Sequence, residues 1–191
     1  MVASSRRAGP RRQLLVAVCA LACATLLAPA MAHQTDERAR SVKAAFLVKF
    51  LDYADFPAHA FSDAGAALVI GVLGADEMAH EVQHIVGARA INGRPVMVRP
   101  VREGDTAPVH LLFVAGSDSM RVTRVLRQWA PAPILLVSEC GHGLEAGSTI
   151  NFKIIEQHVR FDVSLDAAEK SNIKLSSRLL SVANHVSKGV P

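Results

Sequence analysis

The chain has 191 residues, half of them hydrophobic, with 21 Lys or Arg and 17 Asp or Glu. Four of the basic residues are arginines within the first 32 residues, so the rest of the chain carries 17 basic and 17 acidic residues. A chain without excess positive charge lacks the electrostatic attraction on which binding to phosphate backbones depends, so no nucleic-acid partner is expected.

The N-terminal segment has the organisation of a secretory signal peptide. Its arginines precede an apolar run of about 15 residues, which is shorter than the roughly 20 residues needed to span a bilayer. Ala30 and Ala32 are small residues at the spacing that signal peptidase requires. We therefore predict that residues 1–32 are removed and that 33–191 form one exported domain, with lipid attachment at Cys23 as the alternative.

Removal of this leader leaves Cys140 as the last of three cysteines in the sequence. One cysteine cannot form an intramolecular disulfide, even in an oxidising compartment. Cys140 is therefore either a buried apolar thiol or an exposed thiol that pairs between two chains.

The first predicted element of the domain is a helix that runs to about Tyr53. Thr35 or Asp36 is suited to cap its N terminus, and Pro57 lies just beyond its end. Apolar residues recur between these limits at three- and four-residue steps, and further leucines and valines widen the stripe. So wide an apolar face predicts a helix that is buried in the domain or covered by a partner.

The central part of the chain alternates between strand-like and helix-like segments. Runs rich in apolar and β-branched residues predict four strands, at 67–74, 94–101, 109–116 and 133–139. Helices are predicted at 76–86, with Gly87 as the stop, and from a cap at Asp118 or Ser117 to about Trp129. This alternation predicts an α/β fold with a largely parallel sheet flanked by helices. Only residues 102–108 join the second and third strands, so that step is expected to be antiparallel or bridged by one turn.

The C-terminal part of the chain changes character. Strand-like runs at 148–155 and 158–165 are separated by two residues, which predicts a β-hairpin. Asp166 then opens a short helix, and residues 175–186 have the apolar spacing of a closing amphipathic helix. The predicted fold is thus a single α/β domain with a C-terminal hairpin and a closing helix.

Residues 80–84 spell HExxH, the motif that places two zinc-binding histidines and a general base on one metalloprotease helix. The third ligand of the longer metzincin motif would stand at position 90, where Ala90 cannot bind metal. At 100° per residue, His80 and His84 point away from the apolar face of their helix and toward solvent. A zinc metalloprotease is therefore the least favoured interpretation, and no metal site is predicted.

Other motifs of catalysis are incomplete. Cys140 and His142 place a thiol near an imidazole, but no residue that would orient the imidazole is evident. The serines lack a GxSxG turn, and GVLGADE lacks the third glycine of a dinucleotide-binding loop. We therefore predict no catalytic residue and no cofactor, and a protein that is not an enzyme.

Four stretches between residues 37 and 187 carry a resemblance to a known family. They are VKAAFLVKFLDYADFP, IGVLGADE, INGRPVMVR and, as the most specific, GSTINFKIIEQHVRFDVSLDAAEKSNIKLSSRLLSVA. In this order they resemble the YfiR-like family of periplasmic regulatory proteins. The resemblance implies an α/β protein that acts by binding, because the family's namesake binds the periplasmic part of a membrane diguanylate cyclase and keeps it inactive.

The resemblance implies that the partner is the periplasmic part of an inner-membrane signalling protein. A diguanylate cyclase, and with it control of cyclic di-GMP and biofilm formation, is the favoured identity. The wide apolar face of the first helix is the candidate contact surface, through Phe46, Phe50 and Tyr53, with a role in the core as the alternative. A homodimer is also left open.

The alternative function is a small-molecule sensor, because α/β folds bind ligands at the C-terminal ends of their strands. Lys174, Ser176 and Arg178 lie beside the predicted last helix and are the candidates for polar contacts to such a ligand. A solvated helix start is the other interpretation of these three residues.

Overall fold

The computed structural model describes residues 34–189. The predicted leader at 1–32, its cleavage site and the lipid alternative at Cys23 lie outside the described residues and stay predictions. Contacts between Cα atoms divide the chain between Arg38 and Ala39, and apart from the first residues of its N-terminal helix the architecture below is that of the unit from Ala39 onward. No helix within the described part of the chain is long and apolar enough to cross a membrane.

Six α-helices, a 3-10 helix at Ala58–Ala60 and ten strands occur in the described residues. The helices are α1 (34–52), α2 (Asp76–Val86), α3 (Ser119–Trp129), α4 (Gly143–Ala146), α5 (Leu165–Lys170) and α6 (Ser177–Val182). The first five strands are β1 (Ala54–Asp55), β2 (Leu68–Leu73), β3 (Ala90–Ile91), β4 (Arg94–Val101) and β5 (Leu111–Val114). The other five are β6 (Leu135–Ser138), β7 (Ile150–Ile155), β8 (His158–Ser164), β9 (Lys174–Leu175) and β10 (His185–Ser187).

Eight of these strands form one mixed sheet in the order β10-β8-β7-β6-β5-β2-β4-β3. The neighbours from β7 to β4 are parallel, whereas β8 is antiparallel to β7 and β3 is antiparallel to β4. β10 lies parallel to β8 at the sheet edge, and β1 and β9 form a separate antiparallel pair. The largely parallel sheet flanked by helices confirms the predicted fold class.

The central strands are buried on both faces, as their continuous apolar sequences predict. In β5, Leu111 and Phe113 belong to a core cluster with residues of α1 and α2. Leu112 and Val114 alternate with them and belong to a second cluster with residues of α3. Successive side chains of a strand point to opposite faces, so one strand supplies both cores.

Aromatic rings join α1 to the β7–β8 hairpin. Phe50 is 0% exposed, and its ring centroid lies 5.7 Å from that of Phe152 and 5.0 Å from that of Phe161. Phe46, one helical turn earlier, contacts the same two rings at 6.2 and 5.3 Å. The wide apolar face of α1 is thus largely explained by burial against this hairpin.

Local sequence signals set several element boundaries as predicted. α2 ends at Gly87, which has φ +53°, and the Asp118 carboxylate accepts hydrogen bonds from two backbone N–H groups in the first turn of α3. Glu156 and Gln157 have φ values of 49° and 61°, and positive φ at both turn positions is typical of a tight hairpin. The predicted β7–β8 hairpin is therefore confirmed.

The step from β4 to β5 resolves one open alternative. Both strands are parallel to β2 and flank it, so the antiparallel alternative is wrong. The link contains a turn in which Asp105 N–H donates to the Arg102 carbonyl at 3.1 Å. Gly104 in this turn has φ +85°, which favours glycine. The step is bridged by one turn.

Two predictions at the ends of the domain are wrong. α1 is already helical at residue 34, so neither Thr35 nor Asp36 is its N-cap. The closing helix predicted for 175–186 is confined to α6, and the chain then forms β10 because its backbone pairs with β8. The two-residue strands β1, β3 and β9 are too short to show any periodicity in the sequence.

Candidate functional site

Polar side chains form a row across four neighbouring strands. Ser138 of β6 pairs with Asn151 of β7, and Asn151 pairs in turn with Asp162 of β8. Asp162 also pairs with His185 of β10. Paired positions direct their side chains to the same face, which here is the face opposite α1. Ser138, Asn151 and Asp162 are at most 2% exposed, so they must be hydrogen-bonded to be tolerated there.

Asn151 connects this row to the loop that follows β6. Its Oδ1 accepts from the Ser138 hydroxyl at 2.7 Å, and its Nδ2 donates to the Cys140 carbonyl at 3.0 Å. The Ser148 hydroxyl lies 2.9 Å from Ser138 Oγ. A Cβ atom at Gly143, the first residue of α4, would lie 2.1 Å from Asn151 Oδ1. Glycine therefore allows α4 to pack directly on the amide.

Asp162 places a carboxylate at the centre of the row. Its Oδ2 lies 2.5 Å from Lys153 Nζ, and its Oδ1 accepts from Asn184 Nδ2 at 2.7 Å. Burial raises the pKa of this carboxyl, but hydrogen bonds from Asn184 and Lys153 and the charges of Lys153 and His185 together lower that pKa below its ordinary value. Asp162 is consequently ionised at neutral pH.

A second polar row lies beside the first on the same face. Ser187 of β10 pairs with Ser164 of β8, and the Ser164 N–H donates to the Thr149 carbonyl at 2.9 Å. Thr149 precedes Asn151 by two positions, so both side chains lie on one face. The Thr149 hydroxyl is fully buried and has no hydrogen-bond partner among residues 34–189.

A cleft of about 400 Å³ opens over the two rows, between α4 and α5 and bordered by β10. We call it the polar cleft. Charged and hydrogen-bonding groups dominate its lining, which includes Glu145, Lys153, Asp162, Ser164, Asp166 and His185. It lies near the C-terminal end of β6, the kind of position where α/β folds bind ligands. Its side chains are equipped to bind a polar ligand by hydrogen bonds and by charge.

The HExxH residues lie elsewhere, on α2. His80 and His84 are exposed, whereas Met78 and Val82 are buried, which confirms the predicted orientation of this helix. Glu81 accepts a hydrogen bond from the Ser41 hydroxyl of α1 at 2.7 Å. Within 34–189, no group of three or more His, Cys, Asp or Glu residues is arranged to hold a metal ion.

The three residues predicted to contact a partner differ in exposure. Phe50 is fully buried in the aromatic core, so as a contact residue it is wrong for this conformation. Phe46 and Tyr53 are only partly buried and keep exposed edges. Their contact with a partner stays a prediction. Cys140 is 1% exposed, which confirms the buried-thiol alternative.

The three residues predicted to contact a small ligand lie near the end of α1. β9 pairs with β1, and the Ser176 N–H donates to the Tyr53 carbonyl at 2.9 Å. The Ser176 hydroxyl accepts from the Arg178 N–H at 3.2 Å and so caps α6. Lys174 and Arg178 are exposed, and all three residues lie outside the polar cleft. Their binding of a ligand stays a prediction.

His110 is a second buried titratable group, outside the polar cleft. Its Nδ1 accepts from the Val69 N–H at 3.0 Å, and Nε2 lies 3.1 Å from the Ala60 carbonyl. The neutral ring with a proton on Nε2 satisfies both contacts. Burial lowers the pKa of His110, the Ala60 contact opposes that effect, and the charge of Arg94 adds to it. The Phe61 ring stacks on the imidazole at 4.7 Å.

Reasoning from the sequence missed the polar cleft, although a signal for it exists. Asn151 and Asp162 are polar residues inside strand-like runs, INF and RFDVS, where an apolar residue would be expected at a buried position. Ser138 ends a third such run. Polar residues in buried strands are uncommon enough to mark a network or a site.

The fold and the polar cleft define a single-domain α/β protein whose site is suited to binding. The family model described as YfiR/HmsC-like matches residues 40–184, and the chain belongs to this family. This match confirms the resemblance found in the sequence motifs, and it identifies a regulatory family that acts through partner interaction. Among curated proteins, no match to the chain is found.

Proposed function

We propose that this protein is a periplasmic regulator that binds the periplasmic part of an inner-membrane diguanylate cyclase and holds the cyclase inactive. The observation that carries the proposal is the family match over residues 40–184. The predicted export signal and the neutral charge of the remaining chain support a role in protein binding outside the cytoplasm.

Inhibition requires a difference in affinity between two states of the cyclase. A protein that binds the active and inactive conformations equally shifts nothing, however tightly it binds. A preference of about 2.7 kcal/mol for the inactive conformation shifts the equilibrium about a hundredfold. The regulator thus needs only a modest interface whose fit depends on the partner's conformation.

The contact surface we propose is the α1–hairpin patch, made of Val42, Phe46 and Ile154. Val42 lies one helical turn before Phe46 on α1 and is 43% exposed. Ile154 of β7 is 55% exposed and lies on the same sheet face as Phe152, whose ring contacts Phe46. Exposed apolar side chains beside a half-buried aromatic ring are typical of a protein contact surface.

Deletion of the gene tests the function. Cyclic di-GMP and biofilm should rise because the cyclase loses its inhibitor, and a plasmid copy should restore both to their original level. Unchanged cyclic di-GMP in a strain that normally expresses the protein would contradict the proposal. Intact-mass measurement of the periplasmic protein, expected to begin at His33, tests the location, and a lipid on Cys23 would contradict it.

Charged variants test the contact surface. Val42→Asp and Ile154→Asp should relieve inhibition while the purified variants keep the unfolding midpoint of the original protein, because both side chains are exposed. Val182→Asp is the matched control, since Val182 is a 61% exposed apolar residue on α6. Equal loss of inhibition in all three variants, or in the control alone, would contradict the placement of the surface.

A small-molecule sensor is the second candidate function, and the polar cleft is the observation that favours it. Asn151 and Asp162 on its floor are held in place by hydrogen bonds before any ligand arrives, which lowers the cost of ordering them on binding. Native mass spectrometry of protein purified from the periplasm would detect a retained ligand. Lys174, Ser176 and Arg178 are the earlier candidates, and their replacement should then leave the retained ligand in place.

A further inference from the structure

A second pocket, lined mainly by apolar side chains, lies at the N-terminal ends of β5 and β6, away from the polar cleft. It has a volume of about 350 Å³ and is bordered by the link from β4 to β5, the segment from the end of α3 to the start of β6, and the 3-10 helix. We call it the Trp129 pocket. Its apolar lining includes Pro108, Val109, Trp129, Ala132, Pro133 and Ile134.

The walls of the Trp129 pocket are fixed by contacts within the chain. Val109 and Ile134 are 4% and 6% exposed and belong to the core cluster that packs against α3. Ala60 on the opposite wall is anchored through its carbonyl, which lies 3.1 Å from Nε2 of the buried His110. A ligand therefore enters a pocket whose shape exists beforehand, which lowers the cost of binding.

The Trp129 indole N–H is a hydrogen-bond donor without an acceptor. Trp129 is 8% exposed, and its N–H donates to no group among residues 34–189. The fully buried side-chain atoms that lack a partner in this part of the chain belong to Arg99 and Thr149, so the indole N–H is not sealed inside the core. The ring packs in the core on one side and lines the pocket on the other. A largely buried indole N–H usually has a partner, so this donor is available to a ligand.

The Trp129 pocket offers no buried, unpaired charge to an ionic ligand. Asp105 at its rim is already paired, because its carboxylate accepts from the Ala107 N–H and from Arg99 Nη1, both at 3.0 Å. His59, the other titratable residue of the lining, is exposed to solvent. A charged molecule would lose hydration in this pocket without gaining a partner there, which opposes its binding.

We propose that the Trp129 pocket binds a small neutral molecule with a planar apolar body and one hydrogen-bond acceptor, such as an aromatic ketone. The apolar body packs against the indole ring and the rings of Pro108 and Pro133, and the acceptor oxygen takes the hydrogen bond from Trp129 Nε1. The volume of about 350 Å³ is within the range of small-molecule sites, roughly 300–1,000 Å³. This inference concerns binding by the chain itself and does not depend on the cyclase.

NMR titration of the ¹⁵N-labelled protein with acetophenone tests the inference. The sequence contains one tryptophan, so the indole N–H gives a single signal. Acetophenone should bind saturably and move the indole proton downfield, as a new hydrogen bond requires. Ethylbenzene has a similar shape without the oxygen and should enter the pocket without this downfield shift. Benzoate has the same ring with a negative charge and should bind at least about tenfold more weakly than acetophenone.

Trp129→Phe keeps an aromatic ring and removes the N–H donor. Affinities for this variant are read from the backbone amide signals of Val109 and Ile134. The variant should bind acetophenone about fivefold more weakly and ethylbenzene within about twofold of the original protein, because only acetophenone loses a hydrogen bond. An equal change for both probes would overturn the assigned role of the N–H.

A variant that fills the pocket tests its location. Ala132→Leu should weaken acetophenone binding at least about tenfold, because the added carbons occupy the site. Ala64→Leu is the matched control, since it makes the same change at an exposed position outside the pocket and should leave the affinity within about twofold. Unfolding midpoints show which variants are folded. Absence of saturable acetophenone binding to the original protein, or unchanged binding in folded Ala132→Leu, would overturn the inference.

Discussion

Gly143→Ala is the substitution that most directly tests the packing of α4 on the polar rows. Gly143 is the first residue of α4, and an added Cβ would lie 2.1 Å from Asn151 Oδ1 and 2.3 Å from Ser138 Oγ. Both distances are far below the roughly 3.5 Å at which non-bonded atoms attract each other. The Asn151 amide or the whole of α4 must therefore move.

The energetic cost follows from what that movement breaks. Asn151 loses its hydrogen bond from Ser138 or its hydrogen bond to the Cys140 carbonyl, and a buried polar group left without a partner costs about 1–3 kcal/mol. The steric displacement adds about 1–3 kcal/mol. We expect a loss of about 3–4 kcal/mol, which lowers Tm by about 10 °C in a domain of this size.

Thermal and urea unfolding of Gly143→Ala beside Gly141→Ala provide the measurement. Gly141 lies two residues earlier in the same loop, and a Cβ there meets no atom within 4 Å. Gly141→Ala should change the free energy of unfolding by no more than about 0.5 kcal/mol. If the two variants unfold alike, α4 does not rest on the Asn151 amide, and the described shape of the cleft is refuted.

Three further predictions concern other parts of the chain. Folding lowers the pKa of His110 below 6.5, so the unfolded chain binds more protons than the folded chain. The stability that the neutral ring contributes is present above pH 6.5 and is lost as the pH falls through the folded pKa. The urea midpoint should therefore fall less between about pH 7.5 and about pH 5 in His110→Gln than in the original protein. Phe50→Ala should cost about 3–5 kcal/mol in urea unfolding, because it empties a fully buried ring site; a loss below about 1 kcal/mol would place Phe50 outside the core. His84→Ala should change stability and cyclase inhibition by less than the error of measurement. Metal analysis of the original protein should find no stoichiometric zinc, and tightly held zinc would revive the metalloprotease interpretation.

The parts of the fold that were predictable are those whose signals are local. Continuous apolar runs identified the central strands, Gly87 and Asp118 marked helix ends, and two residues at positive φ closed the hairpin. The closing helix was overextended because residues 183–186 continue its apolar spacing. Only the pairing of His185 with Asp162 in β8 makes that segment a strand, and sequence spacing carries no information about so distant a partner.

The site was less predictable than the fold because it depends on strand register. Asn151 and Asp162 are visible in the sequence as polar residues within strands, but nothing local shows that they pair with each other and with Ser138. A shift of one residue in that register would turn one of them to the opposite face and disperse the row. The apolar face of α1 had the reverse problem. Its pattern was clear, but periodicity does not distinguish burial against a hairpin from cover by a partner, and Phe50 proved to be core.

β7 connects the two proposed sites, because its successive residues face opposite sides of the sheet. Asn151 and Lys153 face the polar cleft, whereas Phe152 and Ile154 face α1 and the α1–hairpin patch. A ligand that displaces Lys153 from Asp162 alters the hairpin whose other face carries the patch. We therefore predict that a ligand bound in the polar cleft changes the affinity of the protein for the cyclase's periplasmic part.

Thermodynamic linkage makes this prediction strict. If a ligand of the polar cleft changes the affinity for the partner by some factor, the partner must change the affinity for that ligand by the same factor. Titrations of each ligand in the presence and absence of the other measure both factors, with Asp166→Asn as the variant in which they should fall toward one. Unequal factors would reveal a competing equilibrium, and two factors of one in the original protein would show that the hairpin is too rigid to transmit a change across its thickness.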